Sequence, residues 1–192
     1  MGRKKALTKE DVFKATREIL MKEGLHGVHF KKLASKLDVG RSTLYEYFEN
    51  KDDLLLAYMK TLMDEMNEKV EKIPSENPPN QKLYELLKVI LTHAQIHQID
   101  QMIRELQSSN KQMASFFRDE LHIDLMQTYD LMIQWIEEAM DLELWSREMD
   151  SNLIGDLLFH SILLPSRNKI GVEELASQLF SMIENGVSLK KK

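Results

Sequence analysis

Cysteine is absent from these 192 residues, so neither disulfides nor thiolate metal sites are open to the chain. No apolar run reaches the roughly 20 residues that a membrane-spanning helix needs. Met1 to Lys5 leads into polar, helix-starting sequence where a secretory leader would carry an apolar core. A cytoplasmic protein with no membrane partner is the expectation. Glycine and proline are scarce, at seven and four, and nowhere do apolar and polar residues alternate long enough to make a strand. There is no Gly-rich phosphate loop, no GxSxG turn and no HExxH pair. The carboxylate pairs Glu137-Glu138 and Glu173-Glu174 fall on polar helix faces. These absences argue against an enzyme.

Net charge is −5, which taken alone disfavours nucleic acid, but the charge is unevenly spread. Residues 1–60 hold 13 Lys/Arg against 9 Asp/Glu, a balance of +4, and residues 61–192 hold 13 against 22, a balance of −9. A basic head on an acidic body suits a protein that touches phosphate at one end only.

Periodicity is helical nearly throughout, and the expected class is all-α. It comprises a three-helix helix-turn-helix head on a larger helical body, about nine helices in all. Thr8 caps a first helix, with Asp11 completing a near capping box. Val12, Ala15, Ile19 and Leu20 face inward, and Gly24 ends it. The spacing predicts a second helix over Lys31 to Leu37 and a third over Arg41 to Phe48. Asn50 caps a fourth, with Asp52 and Asp53 in its first turn, running to about Lys72. The stretch from Ile73 to Asn80 holds three of the four prolines, which do not suit a helix interior. The head is accordingly expected over residues 1–54, its connecting helix continuing to about 72, and the body over 80–192. Leu83, Leu86, Leu87, Ile90 and Leu91 mark a fifth helix. A short one follows around Asp100 to Gln107, then a long one from Lys111 to Met140. Ser151 to Leu164 and Val172 to Val187 close the chain.

Residues 33–54 carry the most information. Leu33, Ala34 and Leu37 line one face of the second helix, Val39 closes a tight turn, and Leu44 and Phe48 lie four apart on the third. Arg41, Ser42, Thr43, Tyr45 and Tyr47 are left facing outward. They offer a guanidinium for a guanine edge, and hydroxyls and phenols for phosphates. A DNA-binding regulator is the expected function, with double-stranded DNA as partner. The rival reading is a helical module that docks another protein. Such docking would lack the steep salt dependence of phosphate binding.

The wider pattern is Val12…Ala15…Ile19-Leu20…Gly24, Leu33-Ala34…Leu37…Val39, then Thr43-Leu44-Tyr45…Tyr47-Phe48…Lys51…Leu54. It closely resembles the DNA-binding head of the TetR family of bacterial regulators, over about the first 55 residues. The resemblance implies that Arg41, Ser42 and Thr43 open the recognition helix, and that Tyr45 and Tyr47 make aromatic contacts to DNA. It implies Lys51 as a phosphate clamp and Lys31 as a cation able to reach a base or phosphate. Two positions depart from the family pattern: His29 stands where Thr or Ser commonly caps the second helix, and Asp38 where a turn glycine is common. Leu144 to Asp150 loosely resembles that family's approach to its dimerisation helices.

One head buries little DNA, so a homodimer on a palindromic operator is expected. Leu153, Leu157, Leu158, Ile162, Leu175, Leu179, Phe180 and Ile183 are its candidate interface. The region 83–140 is then expected to sense a small, largely apolar effector that releases a repressor from its operator. Activation and ligand-independent regulation are the alternatives. Its candidate pocket residues are His93, His97, Met102, Met113, Phe116, Phe117, Met126, Tyr129 and Trp135, since methionine adapts to irregular apolar ligands. His93 and His97 lie four apart, a spacing that can begin a zinc site with Glu105, Asp119 or His122. An ordinary surface pair is the competing reading, and neither a metal nor a cofactor is assigned.

Overall fold

The computed structural model describes residues 6–97, 122–163 and 170–188. Eight α-helices lie among them, with no β-strand among the described residues. Helix α1, Lys9–Glu23, opens on the expected capping box: Thr8 Oγ1 accepts from the Asp11 amide, and the Asp11 carboxylate accepts from the Thr8 amide. Gly24, at φ 71°, ends it in a backbone conformation costly for any residue with a Cβ. A 3₁₀ turn, Leu25–Gly27, leads to α2, Phe30–Leu37, and then to α3, Arg41–Tyr45. Helix α4, Lys51–Val70, starts where Asn50 Oδ1 accepts from the Asp53 amide at 2.9 Å.

Helix α5 runs Pro79–His97 and α6 His122–Asp141. Helix α7, Ser151–Phe159, is carried on by a 3₁₀ turn to Leu163, and α8 is Val172–Val187. Asp150 caps α7 by accepting from the Leu153 amide at 3.0 Å. The short helix expected around 100–107, and the beginning of the long one expected from Lys111, fall outside the described residues.

Some boundaries differ from expectation: α7, expected to Leu164, ends at Phe159. The third helix stops at Tyr45, not Phe48, because the Tyr47 and Phe48 amides both turn back onto the Leu44 carbonyl. That tight turn drops Phe48 into the core. Pro79, expected in a loop, is the first residue of α5, where a missing N–H leaves no helical bond unmade.

The buried residues form two clusters. One joins α1, α2 and α3 to most of α4, from Val12 through Leu33, Leu44 and Phe48 to Met66. The other is built on α5, α6, α7 and α8, and reaches back to Val70 at the end of α4. Val89 packs partly against both, and α1 lies directly on α5. Helices α6 and α7 approach closely at Gly155, where a Cβ would stand only 2.6 Å from Ile133 Cδ1. Trp145, buried in the turn between them, packs on Phe180 of α8.

Candidate nucleic-acid interface

The helix-turn-helix is assembled from the inside. Leu33, Leu44 and Phe48 are buried together in the head cluster. Between the two helices Asp38 takes the left-handed conformation, φ 52° and ψ 47°, and its amide returns to the Ala34 carbonyl. Asp is among the few side chains that tolerate this region. His29, at the N-cap of α2, makes no side-chain capping bond, as expected of a weak cap. Five residues are too few for an isolated helix in water, so α3 is held by its buried side chains.

Arg41 and Ser42 are exposed at the start of α3, and Thr43 is half-buried behind them. Tyr45 is 57% exposed, its ring 4.8 Å from that of Phe30, which fixes the plane it presents. Tyr47 is half-buried and its hydroxyl donates to the Leu7 carbonyl, tying the segment before α1 to the turn after α3. Lys51 is half-buried, and its ammonium donates to the Leu25 carbonyl at 2.7 Å. It therefore braces the 3₁₀ turn as well as opening α4.

The cations of α2 divide. Lys32 pairs with Glu23, and Lys36 lies 2.7 Å from Glu18 on α1. In each case the lysine's hydrogen bond comes first in lowering the carboxyl's pKa below its ordinary value. These surface pairs neutralise charge on the side of α2 that faces α1. Lys31, exposed, has no carboxylate against it among the described residues. The tethers made by Tyr47 and Lys51 were not readable from spacing, because each partner lies at least 26 residues away.

The described body candidates do not gather in one place. Tyr129 donates to Asp156 on α7 and sets its ring edge-on to Phe159. Trp135 sits near Lys82 of α5, with Nζ 5.9 Å from the ring centroid. Six residues apart on a 3.6-residue helix, the two face different neighbours. Met126 is half-buried on the same helix. Met102, Met113, Phe116 and Phe117, and the side chain of His97, lie outside the described residues. So do the third ligands considered for a zinc site, Glu105 and Asp119, and the side chain of His122. No cluster of three or more potential metal ligands occurs among the described residues.

His93 corrects the surface reading: it is 4% exposed, with Nε2 2.9 Å from Lys69 Nζ at the end of α4. Burial, then the charges of Lys69 and Arg17, push its pKa down from 6.5 to about 4. The unfolded chain therefore takes up a proton near pH 6.5 that the folded ring refuses. The contribution to stability is complete above pH 6.5 and is lost as pH falls towards 4. Denaturant melts across that range should show His93→Gln losing less stability than the wild type; equal losses would rule His93 out as the source.

At the far end of the body, α7 and α8 flank an apolar groove of about 730 Å³. Leu153 and Leu157 of α7 and Met182 of α8 stand in it 51%, 57% and 73% exposed. Leu175, Leu179 and Ile183 are half-buried. Leu158 and Phe180 are corrections to the expected interface: they are buried in the protomer's own core. The side chain of Ile162 lies outside the described residues. Met149 and Met182 belong to the groove, though the sequence reading passed over both.

The pattern that defines the bacterial regulatory proteins of the tetR family matches residues 12–58. An uncharacterised helix-turn-helix transcriptional regulator of Haemophilus influenzae is 34% identical over 70 residues, spanning 36% of this chain and 37% of that one. The fatty acid metabolism regulator protein of Bacillus subtilis is 23% identical over 189 residues, 93% of this chain and 95% of its own. Among solved structures, AibR in complex with isovaleryl coenzyme A and operator DNA has the same fold. Its TM-score is 0.71 at 15% identity, covering 91% of this chain and 96% of that one.

Proposed function

We propose that this chain is a DNA-binding transcription regulator of the tetR family, a dimeric repressor released from a palindromic operator by an acyl-chain effector. The observation that carries the DNA reading is the sorting of charge on the head. Lys32 and Lys36 are committed to carboxylates of α1, whereas Arg41 stands exposed at the open end of α3 with no ion pair among the described residues. A guanidinium so placed is available for bidentate contact with guanine in the major groove. Lys31, Tyr45 and Lys51 supply backbone contacts, which position the head without reading sequence. The exposed leucines of α7 supply an apolar face for a second copy, whose head would lie about 34–36 Å away on the next turn of DNA.

The effector class is supported by the kinship with a fatty acid metabolism regulator and by the fold shared with a regulator bound to isovaleryl coenzyme A. The effector need favour the released state by only ~1–3 kcal/mol to change operator affinity by about 5–150-fold.

Fluorescence anisotropy against the DNA upstream of the protein's own gene, with scrambled DNA beside it and salt varied, tests the reading. Arg41→Ala is expected to cost ~1–3 kcal/mol on the operator and little on scrambled DNA. Decanoyl coenzyme A is expected to release the wild type. Equal losses on both DNAs would make Arg41 a phosphate contact only. No binding to any DNA, including a random-sequence selection at low salt, would overturn the regulator mechanism.

A further inference from the structure

The two tyrosines on either side of Glu46 are placed for different tasks. Tyr47 is half-buried, and its hydroxyl is taken by the Leu7 carbonyl. Tyr45, the last residue of α3, is 57% exposed, and its hydroxyl makes no hydrogen bond among the described residues. An exposed side chain ordinarily exchanges between rotamers, and a partner that binds it must first stop that exchange. Tyr45 is braced against it. Its ring centroid lies 4.8 Å from that of Phe30, with the planes inclined at 58°. That separation is at the short end of the range for attractive aromatic pairs.

Phe30 can serve as a fixed wall because it is itself held. It is 7% exposed and belongs to the head cluster with Leu33 and Leu44. It also opens α2, whose N-cap residue His29 makes no side-chain capping bond. Burial of Phe30 anchors that end of α2 where a capping side chain would otherwise do so. The one ring therefore joins the first turn of α2 to the last residue of α3.

We propose that Phe30 is a positioning residue for DNA binding, holding the Tyr45 ring in advance in the attitude from which its hydroxyl donates to a phosphate. This rests on the DNA-binding reading above and adds the residue that pre-organises one of its contacts. Phe30 touches no DNA. It orders a side chain that DNA would otherwise have to order, a contribution of about three- to tenfold in affinity. Because a phosphate contact carries no sequence information, the effect falls on operator and scrambled DNA alike. In this it differs from the loss expected of Arg41→Ala.

The first test needs no DNA. With the tyrosine ring carbons isotope-labelled and Tyr45 assigned through Tyr45→Phe, NMR relaxation should show its ring as ordered as that of buried Tyr58. Phe30→Leu should free it. A Tyr45 ring that is mobile in the wild type, or that stays ordered in Phe30→Leu, overturns the proposal. The wild-type half of that result stands whether or not Phe30→Leu folds. The second test is a double-mutant cycle in DNA affinity, at a temperature where melting curves show every variant folded. Phe30→Leu is expected to weaken both DNAs about three- to tenfold when Tyr45 is present, and by less than about twofold in a Tyr45→Ala background. Equal losses in the two backgrounds would leave Phe30 a purely structural role. Tyr45→Phe keeps the ring and loses the donor, so full affinity of that variant would overturn the phosphate contact. A wild type that binds DNA no better than Tyr45→Ala removes this proposal and leaves the regulator reading standing. A wild type that binds no DNA removes both.

Discussion

Leu157→Arg is expected to leave a folded monomer that has lost specific operator binding. Leu157 is 57% exposed beside the α7–α8 groove, whereas its neighbours Ile154 and Leu158 are each 1% exposed and hold α7 to the protomer core. The substitution therefore costs the isolated protomer little. In a two-fold dimer it enters the interface twice, placing two guanidinium groups in largely apolar surroundings, where the nearby carboxylate, Asp156, already accepts from Tyr129. A monomer retains one head and so retains little beyond non-specific attraction to phosphate. Loss of operator affinity by about 10³-fold or more is expected. Sedimentation equilibrium and anisotropy on the same samples decide the matter, with circular dichroism to confirm an unchanged helix content. A Leu157→Arg protein that still sediments as a dimer would move the interface away from α7 and α8.

Leu44→Ala is the second large effect. The side chain is fully buried in the head cluster, and α3 has nothing of its own to sustain it. Truncating a buried leucine costs ~2–5 kcal/mol, through lost transfer energy and the cavity left behind. That penalty falls on the part of the chain that presents Arg41. Operator binding is expected to be lost at 37 °C and largely recovered at 10–15 °C, where the marginal head is repopulated. The α5–α8 cluster, which contains no part of α3, should keep its own melting transition. Full operator affinity of Leu44→Ala at 37 °C would mean that α3 is held by something other than its buried face.

Much of this was legible in local sequence. The Thr8–Asp11 box, the Asn50 cap and helix α8 are set by residues within four positions of one another, which is the range over which capping and periodicity act. Asp38 was singled out only through the family resemblance, as standing where a turn glycine is common; its left-handed conformation is the structure's finding. What escaped is what depends on distant partners. The Lys51–Leu25 and Lys69–His93 contacts join residues 26 and 24 positions apart, and no spacing rule encodes them. Helix α7 shows the limit from another side. Leu153, Leu157 and Leu158 are equally apolar, so hydrophobicity marks all three as buried. Only the position of α6 and α5 decides that Leu158 turns inward and the other two outward. Pro79 was misplaced because proline forbids a helix interior and welcomes its first residue, and the sequence around it suits either.

Helix α4 has one foot in each hydrophobic cluster, from Leu54 at one end to Val70 at the other. Its 20 residues contain neither proline nor glycine, so it behaves as a stiff rod about 30 Å long with no joint to absorb a displacement. Tilting such a rod by about 5° about its Val70 end carries the Asn50 end through about 2–3 Å. Applied in opposite directions in the two protomers of a dimer, that is a change of about 5 Å in a head spacing that DNA fixes at about 34–36 Å. A side-chain-sized rearrangement where α4 meets α5 is thus delivered to the recognition helices at the scale of a base-pair step, by leverage alone.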